Sequence, residues 1–332
     1  MHMQTFVNSD SGERESAPTA VPLKAKYPAD VAPSGNATID LLNRFAVSPD
    51  QLSADPGSYT NFLGITTDCR IIPGASRLDG IIQTGIPNPD DGVYGGAAEY
   101  GSVLTALESR IGKQGHYTAV ELGAGWGPWI AAVGVVGKRV GFASMNLVGV
   151  EADANKCKIM DRHMYENGLL SGVHGGTTFN TKIIHGAAWA EDTTLYFPVI
   201  DAYGDHGAGA TAEASGVDYR GFDLPKLAVP AFGLPTICGQ FDVIDYMHWD
   251  IQGAEWPVAE AGIAFLNSHV RYLFIGTHSR VVEGKLLELF YQQKWNVLML
   301  NPCAFTYDLA KPSIEGMTTT DGEIFVCNPK FL

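Results

Sequence analysis

Residues 117–129 read YTAVELGAGWGPW, and this stretch decides the fold. Tyr117 to Leu122 is a short apolar and β-branched run of the kind that fills a buried strand. It ends in Gly123-Ala124-Gly125-Trp126-Gly127, and Pro128 then opens an apolar segment, Trp129 to Val136, long enough for a helix. Strand, glycine turn and helix together let a backbone approach a nucleotide closely, with helix amides facing it. The spacing discriminates between ligands. A dinucleotide fingerprint reads G-x-G-x-x-G, whereas this turn reads G-x-G-x-G with an acid, Glu121, two residues ahead of its first glycine. Such a turn has no diphosphate to cradle if the ligand is a nucleoside carrying a charged amino-acid tail. Glu121 and the turn amides can then serve an ammonium and a carboxylate.

Downstream, Asn146 to Val150 reads as a second buried strand ending at Glu151. An acid at that tip can accept hydrogen bonds from both hydroxyls of a ribose. Ala152 follows, and Asp153 to Asn167 reads as an amphipathic helix stopped at Gly168. Thr181 to His185 is a third strand, after which Gly186-Ala187-Ala188 is small enough for an adenine to lie against the backbone. Thr194 to Pro198 reads as a short extra strand. Asp201 to Pro235 then breaks the rhythm with glycine, alanine and proline, and is expected to be a long inserted loop at about 200–236, a lid or binding loop. Tyr203, Asp205, His206 and Tyr219 are its candidates for substrate contact, although each alone reads as solvent-facing.

Upstream, Ala97 to Ile111 carries Val103, Leu104 and Leu107 at helical spacing. Such a helix either packs or covers the ligand's tail, with Glu99 and Tyr100 near it. Residues 1 to about 35 are rich in Ser, Pro, Ala and charge, which predicts an irregular arm. Thr38 to Phe45 suits a short helix. Turn signals from Asp50 to Asp91 separate brief apolar pieces, as in a small β-rich or coiled cap. The expected organisation is an extension over 1–95 and an α/β domain over 96–332.

Composition narrows the function classes. The 332 residues are 45% hydrophobic and 17% charged, ordinary values for a chain with a sizeable core. A net charge of −14 with no visible basic patch argues against nucleic-acid and anionic-membrane partners. The five cysteines form no C-x-x-C pair and are odd in number, which suits reduced thiols in a cytoplasm. No signal-peptide pattern and no run of about eighteen apolar residues is present.

The second chemical cluster is Phe241 to Glu255, FDVIDYMHWDIQGAE. Val243 to Trp249 reads as a fourth strand with Asp250 at its carboxyl end, where open parallel sheets bind ligands. Period-two alternation places Tyr246, His248 and Asp250 on one face and Met247 and Trp249 on the other. His248 is expected to be a buried, hydrogen-bonded residue. Arg271 to Gly276 is a fifth strand followed by Thr277-His278-Ser279-Arg280, Glu283 to Trp295 a helix, and Asn296 to Leu300 a sixth strand. Glu323 to Cys327 completes the sheet, antiparallel to the sixth strand.

The glycine turn with its preceding acid resembles the first motif of class I S-adenosylmethionine (SAM) dependent methyltransferases. The phrase Asp250-Ile251-Gln252-Gly253-Ala254-Glu255 resembles the D-[IV]-[EQ]-G-A-E signature of the FkbM family within that class. The two motifs occur in that family's order, and the match runs from about Glu99 to Trp295. The resemblance implies a doubly wound, mostly parallel seven-stranded α/β sheet of Rossmann-like type with an irregular N-terminal extension. It implies SAM as cofactor, held by Glu121, Gly123, Ala124, Gly125, Gly127, Glu151, Ala152, Gly186, Ala187 and Asp250. It implies O-methylation of a small-molecule or saccharide acceptor. Two departures stand out: the Gly/Ala-rich insertion, and Gln252 where many relatives carry Glu.

Methyl transfer to a hydroxyl needs alignment and removal of a proton. His278 is the expected base, with Asp250 its rival or the group that orients the acceptor. A divalent ion on Asp250, Glu255 or His278 is chemically compatible, but no dedicated site is spelled out. N-methylation, a non-catalytic SAM-binding module and a dehydrogenase are the competing readings. Homo-oligomerisation is left open.

Overall fold

Period-two alternation in the central strands separates two apolar layers. Tyr117, Ala119, Leu147, Tyr246 and Phe274 enter one cluster, while Val120, Leu122, Val148, Met247, Trp249 and Ile275 enter the other. The computed structural model describes residues 35–71, 75–87, 91–113, 115–218, 220–311 and 313–332. The expected irregular arm therefore lies almost wholly outside the described residues, as does Tyr219.

The central sheet has eight strands, numbered here in chain order: β1 His116–Leu122, β2 Ser144–Glu151, β3 Gly172–His174, β4 Thr177–His185, β5 Ile244–Trp249, β6 Val270–Thr277, β7 Asn296–Asn301 and β8 Gly322–Cys327. Their spatial order is β7-β8-β6-β5-β1-β2-β4-β3. The pairings β4–β2, β2–β1, β1–β5 and β5–β6 are parallel, and β8 runs antiparallel between β6 and β7. The expected strands are all present, including the antiparallel closure. The eighth, β3, is a correction: it is a three-residue edge strand reversing through Gly175 (φ +58°) and Gly176 (φ +88°), too short to carry an apolar pattern.

Helices cover both faces. Pro128–Val140 and Ala154–Glu166 follow β1 and β2, and Ile130, Val133, Met160 and Met164 from them join the first cluster. Glu255–His269 and Arg280–Gln292 follow β5 and β6, and Val258, Leu266, Leu286 and Phe290 join the second. The strand order therefore reverses between β1 and β5. Ligands of open α/β sheets bind at such a switch point, beyond the strands' carboxyl ends.

Helix Ala97–Glu108 precedes β1, and a three-stranded sheet precedes that helix, with Ser58–Asn61 between Thr66–Asp68 and Ile82–Gln83. Tyr59, Phe62, Leu63 and Ile65 from this region are buried in the same cluster as Trp129 and Tyr100. Asn167 ties it to the main sheet's helices by pairing both ways with the Thr66 backbone, at 2.9 Å in each direction.

The insertion departs from its expected form. Lys226–Phe232 is a strand, antiparallel to Thr193–Pro198 and parallel to Ala187–Ala188, and Leu234–Cys238 is a short helix. Pro225, Pro230 and Pro235 punctuate this segment and read as loop. Pairing with Thr193–Pro198 overrides that local signal. Among the described residues no helix is long and apolar enough to cross a membrane.

Candidate active site

β1 delivers Glu121 and then turns sharply. Gly123, Gly125 and Gly127 have φ of +70°, +55° and +73°, a backbone region that side chains with a Cβ occupy at a cost of about 1–2 kcal/mol. Gly127 caps helix Pro128–Val140. Glu121 folds back under that helix. Its Oε2 accepts from the Ile130 amide at 2.8 Å and its Oε1 from the Trp129 amide at 3.4 Å. Burial lifts its pKa well above the carboxylate range, and these two amides offset only part of the rise.

β2 delivers Glu151 next to the same turn. Its Oε2 accepts from the Gly125 amide at 2.8 Å and its Oε1 from the Asp153 amide at 2.7 Å. Burial raises its pKa against the opposing pull of Lys156 and the two amides. β5 delivers Asp250, whose amide donates to the Leu122 carbonyl at 3.0 Å and so holds the two strand tips together.

These tips enclose a cavity of about 290 Å³. Glu121, Gly123, Ala124, Gly125, Glu151, Ala152, Gly186, Ala187 and Asp250 all line it. Gly127 and His278, expected alongside them, are not among the lining residues. Gly127 faces helix Ala154–Glu166 instead, and a Cβ there would meet Met160 at 2.8 Å.

The D-I-Q-G-A-E phrase folds into one polar cluster. His278 donates from Nδ1 to Glu255 Oε1 at 2.9 Å and from Nε2 to Asp250 Oδ1 at 3.2 Å. Gln252 donates from Nε2 to Asp250 Oδ1 at 2.8 Å, and the Gly253 amide donates to Glu255 Oε2 at 2.9 Å. Gln252 holds φ at +51°, a left-handed backbone for a non-glycine residue. A Glu at that position would set a second carboxylate against Asp250, so the amide of Gln252 suits this geometry.

Burial disfavours charge on His278, but Glu255 and Asp250 outweigh it and hold the imidazole pKa well above its ordinary value. Burial likewise opposes ionisation of Asp250, yet His278 and Gln252 keep its pKa below the usual carboxylate range. An imidazolium with both N–H groups engaged has no lone pair to accept a proton. His278, the expected base, thus has a carboxylate against each ring nitrogen, Glu255 on Nδ1 and Asp250 on Nε2. Asp250 itself is 46% exposed at its side chain and faces the cavity.

This pairing sets a pH dependence. His278 is protonated in the folded chain at pH values where the unfolded chain, with an ordinary pKa of about 6.5, has lost the proton. Its stabilisation is full below about pH 6.5 and fades as pH rises through the raised folded value. The stability difference between the native chain and His278→Gln is expected to shrink steadily from pH 6 to pH 10. Urea unfolding across that range checks this, and a constant difference would show that the pair carries no charge.

Of the residues named in sequence for tail or substrate contact, some line the cavity and others do not, and further lining residues went unrecognised. Glu99 lines the cavity, whereas Tyr100 is buried and donates to Asp91 Oδ2 at 2.6 Å. His206 lines it with Ala208, Gly209 and Ala210 from the insertion, while Tyr203 and Asp205 do not. Trp126 and Trp129 occupy turn and helix positions that the glycine motif leaves unspecified. His248 is buried as expected but lacks the expected hydrogen bond: neither ring nitrogen has a partner. Among the described residues no group of three or more His, Cys, Asp or Glu side chains is arranged to hold a metal.

The strand order, the antiparallel β8 and the acids at adjacent strand tips define the Rossmann-like α/β methyltransferase fold. No protein-family model matches the chain. Over 291 residues it is 29% identical to a protein described as "Putative methyltransferase" from Jannaschia sp. (strain CCS1), covering 83% of this chain and 94% of that one. Among solved structures, the C-terminal domain of precorrin-6Y C5,15-methyltransferase from Rhodobacter capsulatus aligns over 72% of this chain and 92% of its own. Its TM-score is 0.38 at 9% identity. Aeropyrum pernix fibrillarin with natively bound SAM aligns over 69% and 75%, with a TM-score of 0.33 at 10% identity.

Proposed function

We propose that this chain is a SAM-dependent methyltransferase of FkbM-like type, acting on a hydroxyl of a saccharide or glycosylated metabolite. The observation that carries the cofactor reading is the convergence of Glu121, Glu151 and Asp250, from three neighbouring strands, on one cavity. The cavity fits the group. A Cβ on Gly125 would meet nothing within 4 Å, so the turn backbone is open to a ligand, and Gly186-Ala187-Ala188 offers a flat small-residue wall. Glu151 suits a ribose and the small-residue wall an adenine.

Bound SAM supplies an electrophilic methyl on a sulfonium, and little covalent help is needed beyond alignment and proton removal. Asp250 stands at the cavity as an ionised carboxylate, ready to accept a hydrogen bond from an acceptor O–H and take its proton as the new bond forms. His278 and Glu255 hold that carboxylate in place. The support for an oxygen acceptor is the D-I-Q-G-A-E resemblance.

One observation favours a second reading, N-methylation. With the His278 pKa held up by Glu255 and Asp250, and the Asp250 pKa below the usual carboxylate range, the cluster offers only a weak base. An amine presented in its neutral form needs none. Transfer of labelled methyl from SAM to matched hydroxylated and amino acceptors separates the two. Tight SAM binding without transfer to either would make the chain a binding module, and a thermal shift with NAD but not SAM would make it a dehydrogenase. Within the cofactor reading, Glu151→Ala is expected to weaken S-adenosylhomocysteine (SAH) binding by about tenfold or more, the worth of charge-assisted hydrogen bonds. Unchanged affinity by calorimetry would displace Glu151 from the ribose.

A further inference from the structure

One wall of the cavity is not accounted for by the acids at the strand tips. It is continuous through Tyr94, Trp129, His248 and Glu99: Tyr94 and Trp129 lie 6.1 Å apart, Trp129 and His248 5.4 Å, and His248 Nε2 and Glu99 Oε1 3.6 Å. His248 is 2% exposed and its ring lies flat on Phe274, centroids 4.9 Å apart and planes 8° apart. Neither of its nitrogens has a hydrogen-bond partner. A buried polar atom left unsatisfied costs about 1–3 kcal/mol, so an imidazole in an aromatic slot calls for a partner from the cavity.

The chemistry of the wall states what that partner is. Burial pushes the His248 pKa down to about 3, so the ring is neutral and offers one lone pair. Glu99 projects from the first turn of helix Ala97–Glu108, with Oε2 accepting from the Gly96 amide at 2.9 Å and Oε1 turned toward His248. The gap of 3.6 Å is too long for a direct hydrogen bond and suits a donor that bridges a carboxylate oxygen and an imidazole lone pair. A primary ammonium is such a donor. Lys156, which also lines the cavity, donates to the Asp205 carbonyl at 2.6 Å. Glu121, the acid expected to meet an ammonium, already accepts from two helix amides.

We infer that Glu99 and His248 together bind the primary ammonium of the cofactor's amino-acid tail, leaving Asp250 to the acceptor. This rests on the SAM reading above. The test compares two ligands that share the nucleoside and the thioether: SAH, which has the tail, and 5′-methylthioadenosine, which lacks it. Each is titrated into the native chain, Glu99→Gln and His248→Phe, with the fluorescence of Trp126 and Trp129 in the cavity wall as readout. Glu99→Gln keeps the volume and the bond to the Gly96 amide. Both variants are expected to weaken SAH by about tenfold or more, the loss of a charge-assisted contact, and to leave methylthioadenosine within about twofold. The second ligand also reports that each variant is folded.

Equal losses for both ligands would overturn the inference. So would unchanged SAH affinity with a raised KM for the acceptor, which would give this wall to the acceptor instead. A native chain that binds neither ligand fails at an earlier point: it overturns the cofactor reading, and the inference with it.

Discussion

Asp250→Asn is expected to lower the rate of methyl transfer by about 10²–10⁴-fold, the range for loss of a positioned general base. SAH affinity should change little. The amide keeps the side chain's volume and can still accept from His278 and Gln252 through its oxygen, so the cluster around Glu255 survives. What is lost is the negative charge at the cavity face. Single-turnover transfer with pre-bound SAM isolates this step from binding. A rate within about fivefold of the native chain would remove Asp250 from proton transfer. That outcome would also strengthen the amine reading, in which the acceptor arrives neutral.

The second large effect concerns Gly123. A Cβ there would sit 1.7 Å from the Asp250 carbonyl oxygen and 3.3 Å from the Ile251 side chain, on a backbone at φ +70°. That oxygen cannot retreat freely, because the Asp250 amide continues the ladder to Leu122. Gly123→Ala is therefore expected to cost about 3 kcal/mol or more, strain and clash together, and to abolish SAH binding. Gly125→Ala provides the control. Its φ is +55°, but nothing lies within 4 Å of the added carbon, so only the conformational cost of about 1–2 kcal/mol remains. Urea unfolding of the two variants settles the matter. Equal destabilisation would mean that the strand-tip contact does not constrain the turn.

The chain stated its central sheet plainly because period-two alternation and glycine punctuation are local signals. Glu121, Glu151 and Asp250 were legible for the same reason: each ends an apolar run, and the fold does the rest. What escaped notice depended on partners distant in sequence. His278 follows a strand just as a catalytic histidine would, and only the fold brings Glu255 and Asp250 against its two nitrogens. His248 alternates correctly, but no pattern announces that both its nitrogens are left without partners. Lys226–Phe232 became a strand against its own proline content because Thr193–Pro198 offered a complete ladder. Tertiary pairing outweighed local preference there.

That ladder has a consequence for how the protein can diversify. Pro198 pairs opposite Lys226, so the two ends of the excursion over residues 199–225 are clamped side by side, as at the base of a hairpin. Closing a chain segment whose ends already meet depends only weakly on its length. Residues 199–225 thus leave and rejoin the fold at one point, and a change in their length is expected to cost little at that base. Among the described residues, Ala208, Gly209, Ala210 and their neighbour His206 reach the cavity from it. Under the proposed reading, the acids that meet the cofactor and the residues that select the acceptor belong to separate parts of one chain.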